Sequence, residues 1–537
     1  MTIATRAVAR LINLRPAETH DVTVERDAAV KMTDGTILLA DRWYPRSPTA
    51  TTAPPPVILI RCPYGRRLIG IVGRLFAERG YQVVIQSTRG TFGSGGVWEP
   101  FRYEASDGAD TLSWISAQPW SGEAIATWGP SYLGLTQWSV AHNPPASLKA
   151  IVPIVTASYF RNLMYPGESF ALETTLAWIH QVEHQEEGWR GVLRSLVRGS
   201  KVVERAASVL PLSAGDTDAV GHHVGFYQDW LAHNGPDDAW WEEVNFGKTP
   251  SQVPPAALVG GWYDIFLPGQ IADYVALVEA GRTARLTIGP WVHGSGGVAR
   301  ESVREGLAWF DAHLKGLGER RRAPVRLFVM GAKRWAEVES WPPPADVQHW
   351  HLRAGGRLLT SPPGEEGPDG YRFDPTDPTP GLGGASLNGR TAGPKDQQAR
   401  EARRDVLTFT TDALTKDLTV AGPLTARIYF RSTAPSTDIF LRLCDVDPGG
   451  KSTNLSDGIR RVTGDGAVDV AMWPTANTFL AGHRIRLQVS SGAHPLYARN
   501  LGNVAPLASA VEMRPADIEI LHDAEHPSGI DLPVAAI

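Results

Sequence analysis

The chain has 537 residues, 42% hydrophobic and 20% charged, the composition of a folded globular protein too long for one domain. Its net charge of −5 and pI near 6.3 give no long-range attraction for phosphate backbones or anionic bilayers, so neither nucleic acid nor membrane is expected as a partner. The two cysteines, Cys62 and Cys444, fall in different predicted domains and can build neither a disulfide framework nor a thiolate metal site. Residues 1–15 place Arg6 and Arg10 among short apolar stretches without a continuous apolar core, which reads as neither a secretory signal nor a membrane span. A cytoplasmic protein is expected.

In chain order, residues 22–44 alternate apolar and polar side chains around a turn at Thr33-Asp34-Gly35, the pattern of paired strands. A Pro/Thr loop over 45–55 follows. Apolar runs at 57–61, 82–86, 125–128 and 150–155 alternate with helical stretches at 68–79 and 107–117, which predicts a mostly parallel sheet with helices on its faces. The loop Gly90-Thr91-Phe92-Gly93-Ser94-Gly95-Gly96 lacks the Gly-Lys-Ser/Thr ending of a phosphate-binding loop. From 158 to 246 strand signals stop and helical spacing takes over, with many aromatics: Trp178, Trp189, Phe226, Tyr227, Trp230, Trp240 and Trp241. These suit packing of a cap onto the core. Strand patterns return at 256–264, 285–289 and 325–329, and the basic run 319–322 reads as a solvated connector.

Pro342-Pro343-Pro344 is a natural linker. Strand-length runs beyond it, at 349–352, 406–410, 424–432, 438–445, 468–472, 485–490 and 518–522, with Gly/Pro-rich turns, predict an all-β sandwich or jelly roll. Residues 362–397 read as a long loop over its surface. The expected domains are a core over 1–155, a cap over 156–246, the rest of the core over 247–341, and the β domain over 342–537.

Chemistry concentrates at three strand ends. Gly129-Pro130-Ser131-Tyr132-Leu133-Gly134 joins a strand to a helix, the setting of a nucleophile elbow, in which Ser131 is lifted clear of the sheet and the backbone N–H of Tyr132 faces a developing oxyanion. Leu133 stands where the motif has its second glycine. Asp264 ends the strand run Ala256-Ala257-Leu258-Val259-Gly260-Gly261-Trp262-Tyr263, and His293 lies in the loop after Arg285-Leu286-Thr287-Ile288-Gly289. The order Ser, Asp, His is that of an α/β-hydrolase sheet. Alone, Asp264 reads equally as a helix cap, His293 as a satisfied loop residue and Ser131 as a turn residue; together they read as nucleophile, orienting acid and base. His180, His184, His222 and His223 lack the spacing of a zincin motif and are read as solvated cap residues.

These residues, with Arg61-Cys62-Pro63-Tyr64-Gly65, Ser87-Thr88-Arg89-Gly90, Gly289-Pro290-Trp291-Val292-His293, Phe310-Asp311-Ala312-His313-Leu314-Lys315-Gly316 and Gly482-His483-Arg484-Ile485, resemble the cocaine esterase and X-Pro dipeptidyl peptidase family of serine hydrolases over nearly the whole chain. The resemblance implies an α/β-hydrolase core, an inserted helical cap and a C-terminal jelly-roll β domain. It also implies that the Tyr64 phenol is a second oxyanion donor, where the residues alone allow an ordinary turn, and that Trp178, Phe266 and Trp291 contact substrate. Some members are dimers, so a homodimer is a possibility it carries.

The function expected is hydrolysis of a small-molecule carboxylic ester through an acyl-enzyme, with no cofactor and no metal. Amide cleavage by the same machinery is the alternative within enzymes, and a catalytically silent protein whose β domain binds carbohydrate or a partner is the alternative outside them. Relatives that act on α-amino acid esters place carboxylates just after the catalytic acid. Here Ile265-Phe266-Leu267-Pro268 follows Asp264, which predicts an uncharged acyl group.

Overall fold

The structure is a computed structural model that describes residues 3–46, 54–187, 199–318 and 322–537. Trp189, most of the loop over 45–55 and residues 319–321 of the basic run lie outside the described residues. The remaining member of that run, Arg322, donates to Glu305 at 2.7 Å.

The first sheet contains ten strands: β1 (Val22–Lys31), β2 (Ile37–Pro45), β3 (Val57–Cys62), β4 (Gln82–Ser87), β5 (Ile125–Pro130), β6 (Leu148–Ile154), β7 (Ala256–Tyr263), β8 (Ala284–Val292), β9 (Val325–Val329) and β10 (Arg334–Val338). Their spatial order is β1-β2-β4-β3-β5-β6-β7-β8-β9-β10. The strands from β4 to β9 run parallel, while the hairpins β1–β2 and β9–β10 and the pair β2–β4 are antiparallel. Every residue of β3, β4 and β7 is buried, as expected of parallel strands covered on both faces. Adjacent β5 side chains show the two coverings. The Trp128 indole donates to the Ser302 carbonyl in the helix Gly296–Lys315, whereas the Thr127 hydroxyl bonds Gln137 in the helix Tyr132–Ala141. Successive strand residues point to opposite faces, so these two helices sandwich the sheet.

The chain between β6 and β7 forms the cap, whose longest described helix is Leu172–Glu183. Its turn Pro166–Glu168 presses on the second sheet, where a Cβ on Gly167 would stand 1.7 Å from the Ile459 carbonyl oxygen.

The second sheet comprises β11 (Ala345–Arg353), β12 (Arg357–Leu359), β13 (Asp369–Phe373), β14 (Leu407–Thr410), β15 (Leu418–Ser432), β16 (Ser436–Val446), β17 (Ser452–Thr463), β18 (Gly466–Phe479), β19 (Arg484–Ser490), β20 (Ala516–Leu521) and β21 (Gly529–Ala535). Because β21 pairs with both β11 and β15, the strands close into one barrel-like sheet. β15 alternates buried and exposed side chains over most of its length, so one face fills the interior and the other meets water.

Residues 362–397 correct the sequence reading of a surface loop. They contain β13, and their middle is wedged against the cap: the buried Ser386 hydroxyl donates to Glu173 at 2.7 Å. The Gly/Pro content sets an irregular path, but the side-chain partners on the cap bury it.

Candidate active site

The backbone at Ser131 has φ 58° and ψ −125°, a conformation L residues rarely adopt and one held here from both sides. Its N–H donates to the Ile154 carbonyl at 2.8 Å, and its carbonyl accepts from Gly134 N–H at 2.8 Å. Two glycines make the turn possible. A Cβ on Gly129 would stand 2.4 Å from the Cβ of Leu133, and one on Gly134 would stand 2.3 Å from Thr156. Leucine is therefore tolerated at position 133 because Gly129 leaves it room, and the close approach to the next segment moves to Gly134.

At the ends of β7 and β8 the other two residues arrive. His293 Nε2 lies 3.1 Å from Ser131 Oγ, and its Nδ1 lies 2.8 Å from Asp264 Oδ2. Asp264 is fully buried, and its second oxygen accepts the Phe266 N–H at 2.9 Å. The carboxylate is thus fixed before it meets the ring, and with Nδ1 bonded to the acid, Nε2 is left to face the serine.

Tyr132 opens the helix after the serine, where first-turn N–H groups have no intrahelical acceptor. Its phenol is tied below the site: it donates to Glu104 at 2.7 Å and accepts the Phe101 N–H at 3.1 Å, while Arg61 forms an ion pair with the other Glu104 oxygen at 2.8 Å. These contacts anchor a residue that lines the cavity. Burial holds the Tyr132 and Tyr64 phenols well above their ordinary pKa, so both stay protonated. The Tyr64 oxygen accepts the Trp178 indole N–H at 3.0 Å, and Tyr64 lines the same cavity as Ser131. Cys62, close by in sequence, is a buried thiol pushed up to about 12 by desolvation, which leaves it neutral and inert.

A cavity of about 260 Å³ opens over Ser131 and His293. Tyr64, Phe101, Phe160, Trp178, Trp230 and Phe266 supply its aromatic wall, and among the described residues no Asp, Glu, Lys or Arg lines it. The cap acids Glu168, Glu173, Asp237 and Asp238 all lie outside this lining. Glu168 pairs with Arg161 at 2.7 Å and faces a neighbouring cavity of about 310 Å³; Glu173 takes the Ser386 hydroxyl; Asp238 accepts from Trp240 N–H and bonds His233. Among the described residues no group of three or more His, Cys, Asp or Glu side chains is arranged to hold a metal ion.

Of the predicted residues, Ser131, Asp264, His293, Tyr64, Tyr132, Trp178 and Phe266 come together here. Trp291 does not. Its ring lies over Gly289 and Gly297, whose absent side chains make the slot it fills, and packs on Trp335 at 5.9 Å between centroids. It is a packing residue and is not among those that line the cavity, which corrects its reading as a substrate contact. Sequence reasoning missed Phe101, Phe160 and Leu387 as cavity residues, and took Trp230 for cap packing. Nothing local marks them, because they come from the loop after β4, the start of the cap and the long loop of the β domain.

A parallel sheet carrying this elbow, interrupted by a helical cap and followed by a β-rich domain, defines an α/β hydrolase with an accessory domain. The chain belongs to the family of X-Pro dipeptidyl-peptidase, S15: residues 34–295 match that family's model, and residues 318–531 match the model of the X-Pro dipeptidyl-peptidase C-terminal non-catalytic domain. It is 34% identical to the cocaine esterase of Rhodococcus sp. (strain MB1 Bresler), over 95% of this chain and 98% of that one. Two solved structures share the fold. One is an aminopeptidase from the marine sediment archaeon Thaumarchaeota archaeon, with TM-score 0.79 and 23% identity over 96% of this chain and 97% of that one. The other is an α-amino acid ester hydrolase, with TM-score 0.80 and 22% identity over 97% and 98%. Among the described residues, no helix is long and apolar enough to cross a membrane.

Proposed function

We propose that the protein is a serine hydrolase of carboxylic esters with an uncharged, aromatic or alkyl acyl group. The observation that carries this is the hydrogen-bonded chain Ser131–His293–Asp264, at 3.1 and 2.8 Å, on a serine held at φ 58° in a cavity whose described lining holds no Asp, Glu, Lys or Arg. The likeness to an esterase across nearly the whole chain supports it.

In this reading Ser131 Oγ bonds to the ester carbonyl carbon as its proton passes to His293 Nε2, and Asp264 stabilises the imidazolium. The oxyanion takes hydrogen bonds from the Tyr132 N–H and the Tyr64 O–H. Collapse breaks the carbon–oxygen bond to the alcohol, which leaves with the proton from His293. Water then adds to the acyl-enzyme, giving a proton to His293, and the acid departs as that proton returns to Ser131. The aromatic wall binds the acyl group by burying apolar area, worth about 25 cal/mol per Å². An ammonium on that group would lose its hydration with no counter-charge among the described lining residues, and this disfavours a peptidase that must hold a free N-terminus.

An ester and amide panel of graded acyl size tests the reading. Uncharged aryl and alkyl esters should be turned over by the wild type and not by Ser131→Ala. Faster cleavage of dipeptide anilides with free N-termini than of these esters would replace it with a peptidase.

A further inference from the structure

We propose that Trp178 is a positioning residue for the Tyr64 phenol: its indole N–H, donated to the phenol oxygen at 3.0 Å, fixes the phenol's own hydrogen on the Ser131 side, where the oxyanion forms. The inference rests on the ester-hydrolase reading above and adds to it a role for the cap.

An indole N–H can only donate, whereas a phenol oxygen both donates and accepts. The phenol hydrogen therefore cannot point at Trp178. Tyr64 lines one cavity with Ser131 and His293, so the hydrogen is left to that side. A phenol O–H prefers the plane of its ring and has two orientations there; occupying one with an incoming N–H leaves the other. Accepting a hydrogen bond also polarises the O–H and strengthens it as a donor. Preorganisation of this kind is what an oxyanion donor needs, since a hydrogen that must first rotate contributes less in the transition state.

Trp178 is itself held firmly. It stands in the cap helix Leu172–Glu183 with ring centroids 5.5 to 6.3 Å from Trp98, Phe101, Tyr132, Phe226 and Trp230. Such packing would suit any large aromatic ring and does not call for the nitrogen. The nitrogen is spent on Tyr64. Through this bond a cap residue sets the direction of a donor that belongs to the core.

The test separates the N–H from the ring. Trp178→benzothienylalanine replaces N–H with sulfur at nearly constant shape, and should lower kcat about fivefold to tenfold, the effect of one neutral hydrogen bond, while KM stays within about twofold. In a Tyr64→Phe background the same replacement should change kcat by less than about twofold, because its target is gone. A Trp178→benzothienylalanine enzyme with wild-type kcat, or one that loses as much in the Tyr64→Phe background, overturns the proposal. The variant's melting temperature, expected to match wild type, shows that the fold is unchanged. The underlying reading fails by a different result: ester turnover that survives Ser131→Ala.

Discussion

The two walls of the cavity over Ser131 differ in kind. From the core come the polar groups at strand ends, the serine after β5, the imidazole after β8 and the phenol after β3, beside the apolar Phe101, Leu135, Ile265 and Phe266. From the described cap come Phe160, Leu163, Met164, Trp178 and Trp230, with Thr174, Thr175 and Gln181 as its polar lining. Two of the cap's acids have partners away from the cavity, Glu168 on Arg161 and Glu173 on Ser386. In the proposed reading bond-making belongs to the core alone and the acyl wall is shared between core and cap, with the β domain adding Leu387.

The comparison breaks first at the core. Ser131→Ala should abolish turnover, and His293→Ala and Asp264→Asn should each cost about 10⁴-fold in kcat with melting temperature nearly unchanged. Triad residues act as a unit, so the Ser131→Ala/His293→Ala double variant should be no slower than Ser131→Ala. Near-full activity in Asp264→Asn would move the orienting acid elsewhere.

A smaller effect is expected one position further out. Tyr64→Phe should lower kcat about 10²-fold with KM nearly constant, since the phenol O–H meets charge that exists only in the transition state. A defect confined to KM would return Tyr64 to a binding role.

The cap is tested by charge. Between a phenylacetyl and a phenylglycyl ester of one alcohol, kcat/KM should favour phenylacetyl about tenfold, a difference of about 1.4 kcal/mol at the transition state. A tenfold preference for phenylglycyl would require a carboxylate to reach the acyl group and would erase the contrast. The smallest effect belongs to the β domain. Leu387→Ala should lower kcat/KM about threefold for a bulky aryl acyl ester and leave the acetyl ester unchanged, measured on the same alcohol.

These walls were unequally legible in the sequence. Ser131, Asp264 and His293 each follow an apolar strand run and sit among Gly and Pro, so local pattern and chain order located them. Phe101, Phe160, Trp230 and Leu387 meet only through tertiary folding, and no window of sequence contains their relation. Trp291 shows the converse error: proximity to His293 in the chain suggested the pocket, but Gly289 and Gly297 open a slot for its ring on the other side. In the β domain, β17 escaped notice because Asn454, Ser456 and Asp457 break its apolar pattern. All three are buried with partners, Asp457 on Arg442 at 2.7 Å and Ser456 on the Trp473 carbonyl at 2.6 Å. Paired polar groups inside a sheet look, in sequence, like a loop.

The central claim is that Ser131 is an activated nucleophile, and a fluorophosphonate probe tests it most directly. Intact mass should show one adduct per chain of the wild type, mapped by peptide sequencing to Ser131, and none on Ser131→Ala. An unlabelled wild type, or a Ser131→Ala variant that is still labelled, would contradict the account.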